Sequence, residues 1–580
     1  MFELFTPRRH ARSLLAVSPN RWDWALLPLV LAVLVALAFG AMQMTRPFVV
    51  GQVTAISLDP VNLPYYLFRT ILRMFTALAF ALLFSFVFAA VAAKYRAAEK
   101  VMIPSLDILQ SVPILGFQAI AIAPFIALFP GNMLGVECAA IFAIFTSQAW
   151  NMAFSLYQSI RTVPPELNEA ARIFRLSGWQ RFWRLELPFA MPGLLWNMMM
   201  SMSGGWFFLV ASEAISVAGQ DIRLPGIGAY IETAIEARDV HAILWAIVAM
   251  LAGIVLYDQL FFRPLLAWAD KFRFEESPGD IAQRSWLLDL GRRSRWMRLF
   301  WSKVTARLAR ALGWFRLPQQ GQDGTAVSRR KTRLAPIPAG FWDGVILTVT
   351  TLAVIRLGIF IHAEVGWAET AHVVWLGCIT LLRVMLLIGL ASLVWVPIAV
   401  WIGLRPAWAQ RVQGVAQFLA AFPVNLMFPF VVFVLLKLDL NANIWLSPLM
   451  VFGTQWYILF NVVAGASAIP NELRLAADNL GLKGWMKWKR VYLPAVFPSF
   501  VTGAITASGG SWNASIVAEY VTWGNTTLAA TGLGSYIKQT TDAGDFHRIA
   551  LGIGVMCIFV MLLNRFFWRR LYLLAEARSN

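Results

Sequence analysis

Charged residues are scarce in this chain of 580 residues. Asp, Glu, Lys and Arg together make up 14% of the sequence, whereas 59% of the residues are hydrophobic. A water-soluble protein carries about a quarter of its residues as charges and does not repeat apolar runs of about twenty residues. The composition therefore excludes a soluble enzyme or a soluble binding protein and predicts a chain that crosses a membrane several times.

Cysteine and histidine are almost absent as well. The three cysteines lie far apart within apolar stretches, and none of the five histidines stands near them at ligand spacing. This pattern excludes a disulfide framework and a zinc site. The chain also lacks the nucleotide-binding loop GxxxxGK[ST], and no nucleophile stands beside a base. We therefore expect no catalysis, no metal and no cofactor in this chain.

Apolar runs long enough for a membrane helix occur twelve times, six in each half. A helix needs about twenty apolar residues to cross the hydrocarbon core of a bilayer. The predicted spans are residues 24–44, 67–93, 108–129, 133–157, 189–217 and 241–268, followed by 341–361, 373–403, 415–438, 444–466, 495–523 and 547–572. The pattern predicts an all-α, multi-pass membrane protein.

Basic residues predict the orientation of these spans, because Lys and Arg near span ends remain on the cytoplasmic side. One side collects basic clusters that include Arg8, Arg9, Arg12, Lys94, Arg96, Lys100, Arg172 and Arg181. The opposite side has few basic residues, and acids accompany most of them. Both termini are therefore predicted to be cytoplasmic. The net charge of +18 is explained by this bias, without a nucleic-acid partner.

Three domains are predicted: a first membrane domain at 1–270, a basic cytoplasmic linker at 271–338, and a second membrane domain at 339–580. Apolar residues recur at helical spacing in the linker, namely Trp296, Leu299, Phe300, Val304, Leu308 and Phe315. They favour an amphipathic helix on anionic membrane lipids, the alternative being a solvated spacer.

The two halves repeat each other. A spacing of 306 residues relates Pro188 to Pro494 and Glu213 to Glu519, and upstream the spacing becomes 310. Because six spans per half is an even number, both copies have the same orientation and are parallel repeats about an axis along the membrane normal. Such a pair predicts a transport pathway on the axis, either in a pump subunit or in a secondary carrier.

The loops between the fourth and fifth spans are longer than a plain connection. Residues 164–188 read PPELNEAARIFRLSGWQRFWRLELP, and residues 470–494 read PNELRLAADNLGLKGWMKWKRVYLP. Each predicts a short polar helix opened by Pro and Glu, a break at Gly178 or Gly484, and a basic-aromatic helix closed by proline. Two helices kept in both copies predict docking surfaces for a cytoplasmic partner.

These loops resemble the "EAA" coupling loop of inner-membrane permeases in ABC importers. The family pattern is Glu-Ala-Ala, three residues, Gly, nine residues, an apolar residue, one residue and Leu-Pro. The first copy departs from it with Arg175 at the glycine position, and the second with Leu475 at the glutamate position. The resemblance assigns ATPase coupling to Glu166, Glu169, Ala170, Ala171, Arg175, Gly178, Glu472, Ala476, Ala477, Gly481 and Gly484.

The resemblance implies a type I ABC importer permease fold, with the duplicated chain replacing a permease dimer in a bacterial inner membrane. It implies two ATPase subunits, which carry ATP and magnesium, and an extracytoplasmic substrate-binding protein. In that family the small alanines seat the loop in a groove of the ATPase. The segments SVPILGF at 111–117 and TGLGSYI at 531–537 look most like permeases for nitrate, sulfonates, taurine and bicarbonate, which implies a small anion.

Two alternatives stay open at this point. A twelve-helix secondary transporter would use an ion gradient, place acids in the membrane as proton or cation sites, and need no ATPase. An ABC permease for a different small solute would keep the coupling loops and change only the pathway.

The fifth spans carry small and polar residues near the bilayer midplane, counting 1.5 Å per residue from Pro188 or Pro494. The candidates for the substrate pathway are Ser201, Ser203, Gly204, Trp206, Ser508, Gly510, Ser511, Trp512 and Asn513. Hydroxyls, peptide dipoles and indole N–H groups could replace water around an anion, although small residues also serve close helix packing. Because Asn513 corresponds to Phe207, the binding position is predicted off-axis, nearer the C-terminal half.

Glu213 and Glu519 follow on the same spans and are predicted at the outer mouth, as gate residues or as contacts for an external binding protein. Since unpaired carboxylates there would repel an anion, Arg73 and Arg383 are candidates to neutralise them, or else they snorkel to the interface.

Two further pairs have predicted structural roles. Pro113 and Pro423 should kink the third spans, and Asp239 and Asp545 should cap the sixth spans.

Overall fold

The computed structural model describes residues 20–48, 55–217, 220–269, 271, 285–314, 339–523 and 526–579, and these residues are almost all helical. The helices of the first half and the linker are α1 (Arg21–Met44), α2 (Leu63–Lys94), α3 (Arg96–Ser111), α4 (Ile114–Leu128), α5 (Leu134–Arg161), α6 (Pro165–Ile173), α7 (Gly178–Arg181), α8 (Leu187–Glu213), α9 (Ile227–Glu236), α10 (Val240–Tyr257), α11 (Arg263–Ala269), α12 (Trp286–Arg293) and α13 (Arg295–Trp314).

The second half repeats this order. Its helices are α14 (Ala339–His362), α15 (Trp367–Gly403), α16 (Pro406–Ala421), α17 (Phe428–Lys437), α18 (Ala442–Trp445), α19 (Leu449–Phe452), α20 (Gln455–Ser467), α21 (Asn471–Asn479), α22 (Gly484–Lys487), α23 (Leu493–Ala518), α24 (Leu533–Ala543), α25 (Phe546–Leu562) and α26 (Arg569–Ser579). Short 3₁₀ turns lie at Pro60–Asn62 and Val424–Met427, and π-helical turns lie at Phe182–Glu186, Asp258–Phe262, Trp488–Tyr492 and Leu563–Trp568.

Within the described residues, eight helices are long and apolar enough to cross a membrane, and a bent pair makes up to nine. Four of the twelve predicted spans fall outside the eight. The bent pair, Ala442–Phe452 with Gln455–Ser467, replaces the continuous span predicted at 444–466. Helix α14 matches the span predicted at 341–361, but its described apolar part, Leu347–His362, is short.

The two predicted third spans are interrupted at the prolines that are predicted to kink them, and each interruption is a break between two helices rather than a kink. In the first half α3 ends at Ser111 and α4 begins at Ile114, with Pro113 between them. The second half breaks in the same way around Pro423. Proline has no amide hydrogen and disfavours the helical conformation in the residue before it, so hydropathy alone misses the break.

The predicted fifth spans, 189–217 and 495–523, run too far. Helix α8 ends at Glu213, and β1 (Ala214–Val217) then pairs antiparallel with β2 (Gln220–Arg223). In the second half β3 (Tyr520–Trp523) pairs with β4 (Thr526–Ala529) in the same register. The four residues after each helix are mostly apolar, but they form a hairpin because their backbone groups find partners on the returning strand.

Each half is built around three long helices that pack together. They are α2, α5 and α8 in the first half and α15, α20 and α23 in the second. The halves contact each other reciprocally, since α3 packs against α25 and α16 packs against α10. Helix α4 also contacts α23, α24 and α25 of the second half. The start of α4 is therefore a junction between the two repeats.

The predicted caps of the sixth spans are confirmed. The side chain of Asp239 accepts a hydrogen bond from the amide of Ala242 at 3.0 Å, and Asp545 accepts one from the amide of Arg548 at 3.1 Å. Each satisfies one of the free amide groups at a helix start.

The linker contains the predicted helix, as α13, and this helix docks on the start of α1. Asp23 accepts hydrogen bonds from the Ser294 hydroxyl at 2.5 Å and from the amide of Trp296 at 3.0 Å. Phe300 and Trp301 stay exposed, so contact with lipid headgroups remains a prediction. Phe315, Arg8, Arg9, Arg12 and the rest of the predicted linker lie outside the described residues.

Candidate functional site: coupling loops, ionic clusters and the junction between repeats

Each coupling loop begins with a short helix, α6 or α21, and then passes directly into the fifth span. The second helices of the loops, α7 and α22, are not closed by proline as predicted. They continue through a π-helical turn into α8 and α23, giving unbroken helical paths over Gly178–Glu213 and Gly484–Ala518. The π-helical turn shifts the hydrogen-bond ladder just before Pro188 and Pro494, which helps a proline to be accepted there.

The break after the first loop helix occurs three residues earlier than predicted. Arg175 and its counterpart Gly481 both adopt the left-handed conformation, with φ of 50° and 68°. Each forms the hydrogen bonds of a Schellman motif: the amide of Leu176 donates to the carbonyl of Ala171 at 3.1 Å, and that of Leu482 to Ala477 at 3.0 Å. The glycine of the loop pattern thus terminates a helix, and Arg175 does so with a side chain that disfavours this conformation.

Replacing Arg175 with glycine is expected to stabilise the first loop. The left-handed conformation costs an L-residue about 1 kcal/mol that glycine does not incur, so Arg175→Gly should raise the free energy of unfolding by about 1 kcal/mol. Gly481→Ala should lower it by a similar amount, measured by thermal unfolding of the purified chain. Gly178→Ala is the control, because Gly178 does not adopt the left-handed conformation, and a Cβ meets nothing within 4 Å at either glycine. Equal shifts at Gly178 and Gly481 would contradict this explanation.

The alanines of the two loops have different surroundings. Ala171 and Ala477 are buried inside the chain, whereas Ala170 is half-buried and Ala476 is exposed. Only Ala170 and Ala476 are therefore open to a partner. The predicted coupling acids Glu166, Glu169 and Glu472 are exposed as well.

Exposed apolar side chains lie at the end of each loop helix, and the sequence analysis missed them. Phe174 is 76% exposed and its counterpart Leu480 is 77% exposed. Ile173, next to Phe174, is exposed as well, and so is Leu475 in the middle of α21. The spacing of 306 residues relates Phe174 to Leu480 and was the available signal. Phe174 and Leu480 thus form an exposed apolar surface that is kept in both copies, which makes it a candidate docking surface.

The first loop is fixed to the membrane helices by a buried carboxylate. Glu186 in the π-helical turn accepts a hydrogen bond from Arg181 Nε at 2.6 Å, and Lys94 at the end of α2 lies 3.8 Å away. Lys94 also donates to the carbonyl of Gly178. In the second loop Lys487 pairs with Asp478 at 2.5 Å. The first loop is thus tied to α2, whereas the pair in the second loop joins its two helices to each other.

Glu213 is fully buried, so its predicted role as a contact for an external protein is wrong. Its carboxylate pairs with Arg73 Nη1 at 2.6 Å and accepts hydrogen bonds from Thr70 Oγ1 at 2.8 Å and the amide of Gly228 at 2.7 Å. Glu213 therefore joins α2, α8 and the start of α9. Sequence reasoning placed it at an open mouth because hydropathy does not show which loop folds back over a helix end.

Glu519 repeats this arrangement with only 1% of its surface exposed. It pairs with Arg383 Nη1 at 3.1 Å and accepts hydrogen bonds from Thr380 Oγ1 at 2.9 Å and the amide of Gly534 at 2.8 Å. The structure thus confirms that Arg73 and Arg383 neutralise the two acids and do not snorkel to an interface.

A glycine is required beside each buried carboxylate. An added Cβ would stand 2.3 Å from a carboxylate oxygen at Gly226 and 2.2 Å from one at Gly532. The pattern Gly-x-Gly at 226–228 and 532–534 therefore belongs to the ionic clusters, and it could have been used to locate them.

The first half contains a second ion pair that the sequence analysis also missed. Arg69 Nη2 lies 2.5 Å from Glu137 Oε1, and Arg73 Nε lies 2.6 Å from Glu137 Oε2. The equivalent positions of the second half are Ile379 and Asn443. The second half thus lacks both the positive charge of Arg69 and the negative charge of Glu137. The ionic cluster of each half therefore has equal numbers of positive and negative charges.

Most of the predicted pathway residues are enclosed within their own half. Those that are buried are Ser201, Ser203, Trp206, Ser508, Ser511 and Trp512. Ser203 donates to the carbonyl of Met199 at 3.0 Å, and Ser511 donates to that of Ala507 at 2.8 Å. Both bonds stay within one helix, and Ser511 also contacts the Thr454 hydroxyl just before α20 at 2.8 Å. The pathway role of this group remains a prediction.

Two predicted pathway residues lie at the boundary between the halves. A Cβ at Gly204 would stand 2.5 Å from the Tyr457 hydroxyl of the second half. Asn513 Oδ1 accepts a hydrogen bond from the amide of Ile114 in the first half at 2.7 Å. Gly510, in contrast, packs against Thr454 of its own half. Gly204 and Asn513 therefore remain the pathway candidates with the best position.

Both halves match a family model described as the inner membrane component of binding-protein-dependent transport systems, over residues 81–262 and 395–579. The chain belongs to this family. One match in each half confirms that the permease is duplicated and fused, as the internal spacing predicted.

Similar proteins include permeases named for several small anions. The bicarbonate transport system permease protein of Synechococcus elongatus is 26% identical over 134 residues, 23% of this chain and 45% of that protein. The nitrate import permease protein of Leptolyngbya laminosa is 26% identical over 154 residues, 26% of this chain and 50% of that protein.

The taurine transport system permease protein of Escherichia coli is 25% identical over 185 residues, which cover 32% of this chain and 64% of that protein. The permease spans about half the length of the first two relatives and somewhat more of the third.

Proposed function

We propose that this chain forms the complete membrane pathway of an ABC importer for a small anion. Two ATPase subunits dock on the two coupling loops, bind ATP and magnesium, and move the fifth spans. An extracytoplasmic binding protein delivers the anion from the other side of a bacterial inner membrane. The chain itself has no catalytic role and carries no cofactor.

The single observation that carries this proposal is the pair of coupling loops. Each presents an exposed apolar residue, Phe174 or Leu480, at the same position of the repeat. Each loop also continues without interruption into the fifth span. A partner that moves the loop would therefore move the wall of the pathway. Bicarbonate and nitrate in the names of the relatives support a small anion, and taurine shares with them an anionic group, its sulfonate.

We further propose six membrane crossings per half, with both termini cytoplasmic. The eight to nine long apolar helices supply most of these crossings, and the proline-broken segments α3–α4 and α16–α17 supply others. This topology places the two coupling loops and the basic linker on the same side. The domains remain 1–270, 271–338 and 339–580.

The alternative of a secondary transporter is weaker. It needs intramembrane acids that are free to bind protons or cations. Glu137, Glu213 and Glu519 are each paired with arginine, so their charge is already compensated.

Purification of the full chain in mild detergent from its native membrane tests the proposal. We expect two ATPase copies for each chain, measured by native mass spectrometry. Deletion of the chain should also abolish uptake of at least one of nitrate, bicarbonate and taurine. Isolation of the chain alone, together with gradient-driven uptake in liposomes, would contradict the proposal.

A further inference from the structure

The start of α4 is capped by the opposite half of the protein. Pro113 precedes this helix and offers no side-chain acceptor, so the first amide group, that of Ile114, would lack a partner within its own half. It donates instead to Asn513 Oδ1 on α23, at 2.7 Å. A helix start carries a positive partial charge and free amide groups, which together favour anions.

A buried amide side chain lies one turn further along α4. Gln118 is only 3% exposed, and its Nε2 has no hydrogen-bond partner among the described residues. Side chains of a helix lean towards its N-terminus, and residues four apart share a face, so Gln118 leans over the turn that begins at Ile114. A buried donor without a partner is costly, which points to a ligand that accepts its hydrogen bond.

The equivalent junction in the other repeat does not have these two amide side chains. The counterpart of Gln118 is Phe428, and the counterpart of Asn513 is Phe207. Gln118 and Asn513 therefore meet at the junction between α4 and α23. Phe428 and Phe207 occupy the equivalent junction of the other repeat. Close helix packing alone gives no reason for polar residues from two different halves to meet at one copy only.

The start of α4 also packs closely against the second half. At Gly116, in the first turn of α4, a Cβ would stand 2.9 Å from the Ile553 side chain. The glycine therefore lets the helix start approach α25 closely. Asn513 is half-buried. The junction combines a positioned helix start with an amide at the boundary between the repeats.

We propose that a small oxyanion binds at this junction, between Gln118 Nε2, the Asn513 amide and the start of α4. The site is single and lies off the axis. The anion accepts hydrogen bonds from Gln118 Nε2 and from the Ile114 amide, which Asn513 Oδ1 releases while Asn513 Nδ2 keeps its hydrogen bond to the Gly509 carbonyl at 3.2 Å. This inference rests on the proposed anion import.

Uptake of nitrate, bicarbonate and taurine by cells that carry the full chain tests the site. Gln118→Leu should raise KM about tenfold or more, because a hydrogen bond from a buried donor to a charged ligand is lost. The matched controls are Phe428→Leu and Phe207→Leu, at the equivalent positions of the other repeat. They should change KM less than about twofold, because neither side chain contributes a polar group to an anion.

Asn513→Asp separates ligand binding from helix capping. Aspartate caps a helix start as well as asparagine and gives up only the hydrogen bond from Nδ2 to the Gly509 carbonyl, so the chain should still fold and reach a similar abundance. Its negative charge repels an anion, so uptake should fall about a hundredfold. A purely structural role for Asn513 predicts unchanged uptake.

The results of these experiments test the proposed anion site and the proposed anion import separately. If deletion of the chain abolishes uptake of one anion but Gln118→Leu and Asn513→Asp keep the wild-type KM, the site is overturned and anion import stands. If deletion leaves uptake of all three anions intact, the proposed anion import is overturned and the site with it.

Discussion

Replacing Arg73 with methionine is expected to remove most of the folded permease from the membrane. Arg73 is fully buried and pairs with Glu137 and Glu213 at once. Its loss leaves two buried carboxylates with only Arg69 to balance them. Removing one partner from a buried ion pair costs about 3–5 kcal/mol, a large part of the stability of a typical domain. The abundance of the chain and its thermal midpoint in detergent measure this effect.

The second half provides the matched control for this experiment. Arg383→Met should be milder, because Arg383 is partly exposed and pairs with Glu519 alone. A charge-balanced exchange is the sharper test. Arg69→Ile and Glu137→Asn should each destabilise the chain, whereas the double variant, which copies Ile379 and Asn443, should recover part of the loss. Additive effects would contradict the idea that the two charges are kept or lost together.

Replacing Phe174 or Leu480 with glutamate is expected to uncouple ATP hydrolysis from uptake without unfolding the chain. Both side chains are more than three-quarters exposed, so the permease should fold normally. In the proposed complex they are buried against an ATPase, where a charge should cost about 2 kcal/mol, or about thirtyfold in affinity. Co-purified ATPase and ATP-driven uptake measure the loss.

The two loops also provide controls for each other. Phe174→Leu and Leu480→Phe exchange the residues of the two copies and keep the surface apolar, so uptake should remain close to wild type. Ala476 is a further site for a bulky charge because it is exposed. Ala477 is not suitable, since it is buried and a change there would disturb the chain itself. Wild-type uptake in both glutamate variants would remove the coupling assignment.

The coupling loops illustrate how far sequence reasoning reaches. Their number, position and two-helix form follow from local signals, namely Pro and Glu at a helix start and glycine at a break. The internal spacing then shows that both copies carry them. The prediction that proline closes the second helix of each loop is wrong. A π-helical turn lets the helix continue through Pro188 or Pro494, where proline is expected to end it.

The ionic clusters illustrate the opposite case. Glu213 and Arg73 were both singled out from sequence, but Glu137 and Arg69 were not. These residues are 64 to 143 positions from their partners along the chain. Hydropathy shows that a charge lies in an apolar segment, but it does not show which helix packs against it.

The sequence by itself determined the membrane class from composition and the duplication from the repeated spacing of 306 residues. It determined the two-helix loops, the proline breaks and the helix caps from residues a few positions apart. The tertiary structure decided that the acids of the fifth spans pair with arginine, that the midplane serines are buried, and that Asn513 caps a helix of the other half. The physical reason is that a buried polar group is satisfied by whatever the fold brings near it, and packing between distant segments selects that partner.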